Sequence, residues 1–305
     1  MKQRFYPVIM ISLVLMIIAG CQHKSEELSI DFEKYTLENG LDVILHQDHS
    51  DPIVAVAIQY HVGSNREKPG KTGFAHLFEH MMFQQSENVG QDEFFKKIQG
   101  AGGTLNGGTS TDGTVYYEVV PKNAAELALW LESDRMGYLI NTVTRSAFAN
   151  QQDVVLNEKR QMVDNNPYGH NNYVIHKNLF PDGHPYNWQV IGEMEDLFNA
   201  TVEDVKAFHQ EFYLPNNATL AIAGDFEPEE MKALVEKYFG EIPSGEKVED
   251  MDPVHVTLEQ TKRLYHEDNF AKTPLLTMVW PVVEQYHPDA YALNFLGQIL
   301  ESGRN

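Results

Sequence analysis

His76, Glu79 and His80 stand at i, i+3 and i+4 in the run Gly73-Phe74-Ala75-His76-Leu77-Phe78-Glu79-His80-Met81-Met82-Phe83. On an α-helix each residue turns about 100°, so these three side chains share one face within roughly 100° of arc. The other faces carry Phe74, Leu77, Phe78, Met81 and Met82, a pattern apolar nearly all round that predicts a buried helix. A buried polar group costs roughly 2–7 kcal/mol unless partnered, and a charge costs more. Something has to satisfy three such groups together. Two imidazoles one turn apart, about 6 Å, can both reach a single metal ion. The carboxylate between them then lies beside the metal, placed to take a proton from water there. The competing reading is a hydrogen-bonded core cluster; the buried helical setting favours the metal.

The order His-x-x-Glu-His is the inverted form of the zincin motif. A catalytic zinc site with two histidines needs a third protein ligand and keeps a fourth position open for water. Glu158 is the candidate. Its helical neighbours at i−4, i−3 and i+4 are Val154, Val155 and Met162, an apolar stripe on which an unpaired glutamate is rarely buried. Lys159 and Arg160 follow it but point elsewhere on the helix. Asp153 and Asp134 are weaker alternatives for the third ligand.

These residues need a scaffold, and the pattern around them is that of a folded α/β chain. Asp42–Leu45 and Ile53–His61 read as strands, the second apolar on both faces and therefore central and covered. The Gly- and Pro-containing loop 63–73 breaks the chain, and Thr72 is the expected N-cap of the motif helix. Helices are expected at Asp92–Gln99, Asn123–Leu139, Arg145–Asp164, Val202–Phe212 and Pro228–Phe239. Strands are expected at Thr114–Val120 and Ala218–Ala223, with an extended Thr/Asn/Gly-rich stretch before the first of them. The segment from Val254 restarts with strand-like runs and a helix near Pro288–Leu300.

The chain has 305 residues, 42% of them hydrophobic and 11% aromatic, enough for one large or two ordinary domains with a real core. Its formal net charge of −21 repels phosphates and argues against a nucleic-acid partner. Lys2 and Arg4 precede an apolar run from Pro7 to Gly20, shorter than the ~20 residues of a membrane span. That run closes in Ile18-Ala19-Gly20-Cys21, and Cys21 is the sole cysteine, so no intrachain disulfide forms. The closing segment resembles the lipobox of bacterial lipoproteins, in which cleavage exposes the cysteine for lipidation; an ordinary cleaved signal or an uncleaved anchor are the other readings. Gln22, in place of Asp, suggests sorting to the outer membrane by the same resemblance.

With His76-x-x-Glu79-His80 and Glu158 in place, the sequence resembles the pitrilysin/insulinase family of zinc metallopeptidases. The likeness covers most of Asp31–Pro243. It includes Tyr60-x-Val62-Gly63-Ser64, Gly73-x-Ala75, Gly103-x-x-Asn106 and Thr109-x-x-Asp112-x-Thr114-x-Tyr116. Val154-Val155-x-x-Glu158, His184-Pro185-Tyr186 and Gly224-Asp225 complete it. The resemblance implies an α+β fold, a mostly antiparallel sheet with helices packed on it. It implies one Zn2+ bound by His76, His80 and Glu158, with Glu79 as general base for hydrolysis of peptide bonds. It also implies that peptides add as a strand beside Leu105, Asn106, Gly107, Gly108 and Thr109. Small side chains there allow close backbone approach, although a plain surface hairpin would look the same.

Two departures stand out. Many members carry Glu seven residues before the third ligand, where this chain has Gln151. Active members also have a second homologous half, in the same chain or a partner, that closes over the substrate. The expected organisation is a lipoprotein signal (1–20), a tether (21–30), a zinc-binding catalytic domain (31–245), a linker (246–253) and the beginning of a second homologous domain (254–305), the sequence being part of a longer protein. His61, His170, His176 and His184 lack convergent spacing and are expected to be structural or surface residues. The expected function is a zinc peptidase acting on peptides, lipid-anchored in a bacterial envelope. The rivals are a non-catalytic scaffold subunit of a two-half peptidase and an envelope metal-binding protein, which would have no need of Glu79.

Overall fold

The computed structural model describes residues 29–302, so the expected signal peptide and the lipidation site Cys21 lie outside the described residues. The elements all belong to one unit that begins at Glu33. Six strands form one sheet: β1 (Glu33–Thr36), β2 (Asp42–Gln47), β3 (Ile53–Tyr60), β4 (Thr104–Thr109), β5 (Thr114–Pro121) and β6 (Ala218–Gly224), in the order β1-β2-β6-β3-β5-β4. All neighbours pair antiparallel except β2 and β6. The fold is the expected α+β, mostly antiparallel class. β3 is central, but it is covered on one face only. Val54, Val56, Ile58 and Tyr60 are fully buried, while Ala55 and Ala57 on the other face stay partly open. Alanines expose little apolar area, so leaving that face half covered costs little.

Nine α-helices are found among the described residues, and three of them, the first to the third, pack on the sheet. The nine are α1 (Phe74–Met82), α2 (Glu93–Gly100), α3 (Ala125–Tyr138), α4 (Arg145–Lys159), α5 (Asn171–Leu179), α6 (Met194–Asn199), α7 (Val202–Phe212), α8 (Pro228–Phe239) and α9 (Ala290–Ser302). α3 crosses β3 and β5 and carries α8 on its back, whereas α1 packs on β4, α4 and α7. Phe74, Leu77, Phe78, Met81 and Met82 of α1 are all buried, as the sequence predicts. β1, α5 and α6 are elements that the sequence pattern left unassigned. The strand-like runs after Val254 are not strands: residues 246–289 hold neither strand nor helix. Leu276 and Trp280 there are 83% and 60% exposed. A strand needs a partner for its backbone, and none of the described strands has an edge paired to this segment.

One buried ionic cluster ties α3 to β5, the strand beside β4. Arg135, Glu132 and Glu118 are all essentially inaccessible. The Arg135 guanidinium bonds Glu132 through both Nε, at 2.9 Å, and Nη2, and its Nη2 reaches Glu118 at 3.4 Å. It also lies 4.2 Å from the Tyr116 ring centre and 4.5 Å from that of Phe94, so aromatic faces supply part of its solvation. Burial, with Glu132 alongside, raises the Glu118 carboxyl well above its ordinary range. Arg135→Leu leaves two buried acids without their cation, and is expected to cost about 3–5 kcal/mol in a urea unfolding titration. A loss below about 1 kcal/mol would show that the cluster is not an interdependent unit.

Candidate metal centre

α1 starts without a side-chain N-cap of the expected kind. Its N-cap is Gly73, in the left-handed region at φ 84°, and Thr72 is turned away from the helix. The carboxylate that serves the helix start is Glu67, buried in the loop. Its Oε2 accepts from Gly73 N and its Oε1 from Ala75 N, both at 2.9 Å. A carboxylate at a helix N-terminus satisfies free amides and meets the positive end of the dipole. The Thr72 hydroxyl instead donates to Asp196 at 2.6 Å and accepts from Glu193 N at 2.9 Å. Six residues upstream and in a loop, Glu67 offered no helical spacing by which the sequence could have disclosed it.

α4 begins at an N-cap Thr144, whose hydroxyl accepts from Ala147 N at 3.2 Å. It ends at Lys159 and widens into a π-turn over Arg160–Asp164, a feature often found at functional sites. Glu158 sits in the last α-helical turn. The expected apolar stripe around it is only half right. Val155 is buried, but Val154 and Met162 are 41% and 60% exposed, so they flank an open face. Glu158 is therefore a partly accessible carboxylate at the mouth of a site.

His76, His80 and Glu158 converge, with ligand atoms within 4.8 Å of one another. Glu158 Oε2 lies 3.2 Å from His80 Nε2 and 3.8 Å from His76 Nε2, and the two rings meet edge to face at 4.8 Å. Tetrahedral zinc with bonds of about 2.1 Å would hold such atoms roughly 3.3–3.5 Å apart, so the donor set fits with small adjustments. Burial, and secondarily the neighbouring His80, push His76 down to about 4. A neutral imidazole is the form that binds metal. His76 Nδ1 is buried with no hydrogen-bond partner among the described residues.

Glu79 points into the same site. It accepts from Thr109 Oγ1 at 2.6 Å. Burial raises its carboxyl above the ordinary value, opposed by the Thr109 hydrogen bond and by His80, and reinforced by Glu158. Asp134 and Asp153 take no part. Asp134 is buried and bonded to Ser86 and Asn88, and Asp153 is exposed on α4. Gln151 is buried in α4. His61, His176 and His184 make separate contacts with Thr219, Trp188 and Val254, and His170 faces Asp164.

Leu105, Asn106, Gly107, Gly108 and Thr109 make up most of β4, which ends the sheet and has no strand on its outer side among the described residues. Thr109 faces α1 through Glu79, and so does Gly107: a Cβ there would lie 2.9 Å from Phe83. The hairpin that follows is pinned. Asn65 Nδ2 and Tyr186 Oη both donate to Asp112 Oδ1, at 2.9 and 2.5 Å. This gives the sequence blocks around Ser64, Asp112 and Tyr186 one shared role, holding the end of β4 over the motif helix.

Residues 42–185 match the family model described as insulinase, peptidase family M16, and residues 199–305 match that of the peptidase M16 inactive domain. The chain belongs to the insulinase family of peptidases. It is 29% identical to the zinc protease PqqE of Helicobacter pylori over 308 aligned positions, covering 97% of this chain and 66% of that protein. It is 29% identical to a probable mitochondrial-processing peptidase subunit beta of Schizosaccharomyces pombe, over 71% of this chain and 47% of that one. This M16 chain thus spans about half to two thirds of these relatives. Among solved structures, a protease from Helicobacter pylori matches with a TM-score of 0.71 and 31% identity, over 75% of this chain and 55% of the other. The first half of the periplasmic protease PqqL from Escherichia coli shares the fold at a TM-score of 0.66 and 22% identity.

Glu67→Gln places an amide N–H against a backbone N–H at the start of α1. It is expected to lower stability by about 1–3 kcal/mol in denaturant titrations of the metal-free protein. An unchanged midpoint would mean that α1 does not depend on this cap.

Proposed function

We propose that this chain contributes the zinc-binding half of an M16 metallopeptidase that hydrolyses peptide bonds in peptides or small unfolded proteins. The observation that carries the reading is the convergence of His76, His80 and Glu158 on one point, with Glu79 held beside them by Thr109. A storage or structural site has no use for a fourth, non-ligating acid of raised basicity, so Glu79 favours catalysis over plain metal binding.

His76, His80 and Glu158 would hold one Zn2+, which supplies Lewis acidity for the scissile carbonyl and for the attacking water. Glu79 takes the proton from that water and passes it to the leaving amine. The Thr109 hydroxyl orients the Glu79 carboxylate for this task. The free edge of β4 offers backbone groups to an extended peptide, which would add as a further strand. The open face between Val154 and Met162 leaves Glu158 reachable from outside.

The remaining readings follow from the same proposal. Residues 31–245 form the catalytic domain, 246–253 a linker and 254–305 the start of a second homologous domain. The exposed apolar side chains at Leu276, Trp280 and Ile299 then await the rest of that domain, or of a partner subunit, which completes the substrate chamber. Gln151, where many members carry Glu, leaves the three ligands and Glu79 in place. Cleavage of the signal 1–20 would expose Cys21 for a lipid anchor on the periplasmic side of the outer membrane. No helix among the described residues is long and apolar enough to cross a membrane.

In the parent protein without its signal, Glu79→Gln is expected to keep one zinc per chain while peptide cleavage falls about 10²–10⁴-fold. Equal cleavage by the variant contradicts the assignment of the base. Removing zinc with a chelator is expected to abolish cleavage, and adding Zn2+ back to restore it; cleavage that survives chelation contradicts the metal-dependent reading.

A further inference from the structure

Glu158 reaches the histidine pair only while α4 keeps its rotation relative to α1, and the segment Gly192–Asp196, which runs into α6, is bonded both to α4 and to the start of α1. Lys159 follows Glu158 in sequence and therefore points about 100° round the helix from it. Its side chain is buried, and its Nζ donates to Gly192 O at 2.6 Å. From Gly192 the chain enters α6, and its first residues bond to the residue before the N-cap of α1. Glu193 N donates to Thr72 Oγ1 at 2.9 Å, and Asp196 Oδ2 accepts from Thr72 Oγ1 and Thr72 N at 2.6 and 3.1 Å. Gly192 rests on Gly73, the N-cap of α1. A Cβ at Gly192 would lie 2.5 Å from Gly73 N and from Thr72 O, and both glycines have positive φ, 74° and 84°. No other residue type fits this crossing. Glu67 holds the same helix start from its other oxygen-bonded side, through Gly73 N and Ala75 N.

We propose that Lys159 and the Gly192–Asp196 segment, the entry into α6, act as a positioning brace that fixes Glu158 against His76 and His80, and so sets the affinity for the metal. The proposal rests on the metal-centre reading above. α1 and α4 already pack on each other, so the brace is not needed to bring them together. What it adds is rotational control. A carboxylate about 6 Å from the helix axis moves about 1 Å for each 10° of rotation, whereas metal–ligand distances tolerate only about 0.2 Å. Lys159 is an effective stop because it is one residue from the ligand and its donor is held by a backbone carbonyl that cannot swing away. The bland alternative is an ordinary buried hydrogen bond, whose loss lowers stability and nothing else.

The test measures zinc dissociation constants by competition with a chromophoric chelator, and Co2+ absorption spectra, in the parent protein without its signal. The variants are Lys159→Met, Lys159→Arg, Thr72→Val and the double variant Lys159→Met/Thr72→Val, with urea melts of the metal-free forms alongside. Each of Lys159→Met and Thr72→Val is expected to weaken zinc binding about 10–100-fold. Lys159→Met should alter the Co2+ spectrum, and Lys159→Arg, which keeps a donor, should recover part of the affinity. Because both single changes cut one brace, the double variant should be little worse than the weaker single. Thr72→Val is close to isosteric and carries the test if Lys159→Met does not fold. Melting shifts with unchanged zinc affinity and Co2+ spectra overturn the brace alone. A wild-type protein that takes up no zinc overturns the metal-centre reading and the brace with it.

Discussion

Glu158 Oε2 stands 3.2 Å from His80 Nε2 across the gap between two helices that are far apart in sequence. α1 carries two imidazoles and a carboxylate on one face while its other faces are buried among Phe, Leu and Met side chains. Those three groups are only partly exposed, and the helix cannot satisfy them from its own backbone, which is already bonded along the helix. The approach of Glu158 from α4 is what turns a costly polar face into a donor set. The surrounding structure serves that approach: the sheet backs α1, Glu67 holds its start, and Thr109 from the edge strand engages the remaining acid.

The two sides of the site are organised differently. Toward the core, rigidity comes from fully buried groups, with Arg135 held between Glu132, Glu118 and the faces of Tyr116 and Phe94. Tyr116 then packs against Gly107, so the floor of the edge strand is set by the ionic cluster below it. Toward solvent, the same strand has an unpaired backbone edge, and Val154 and Met162 leave the third carboxylate accessible. A tightly specified floor under an open rim is what a site for an extended chain requires, since fixed donors and acceptors lose little entropy when a flexible partner is ordered on them.

The motif was legible because its chemistry lies within one helical turn, where i and i+4 decide which side chains meet. Phe74, Leu77, Phe78, Met81 and Met82 likewise announced their burial by type and spacing. Glu158 was reachable from the family resemblance, but the stripe argument offered beside it was half wrong, because Val154 and Met162 flank an open face that an apolar pattern cannot distinguish from a closed one. Thr72 looked like an N-cap and is instead a link to the start of α6, at Glu193 and Asp196; Glu67 and Lys159 act through tertiary contacts that leave no local signal. The runs after Val254 have strand-like composition without a strand, since β-structure depends on a partner as much as on sequence.

The account stands on one ion held by residues from both helices. Anomalous diffraction at the zinc edge, from crystals of the protein purified with its native metal, tests this most directly. The account predicts a single peak about 2.0–2.2 Å from His76 Nε2, His80 Nε2 and one Glu158 oxygen, with Glu79 nearby and not bound to it. A peak that excludes Glu158, or no peak between the two helices, would contradict it.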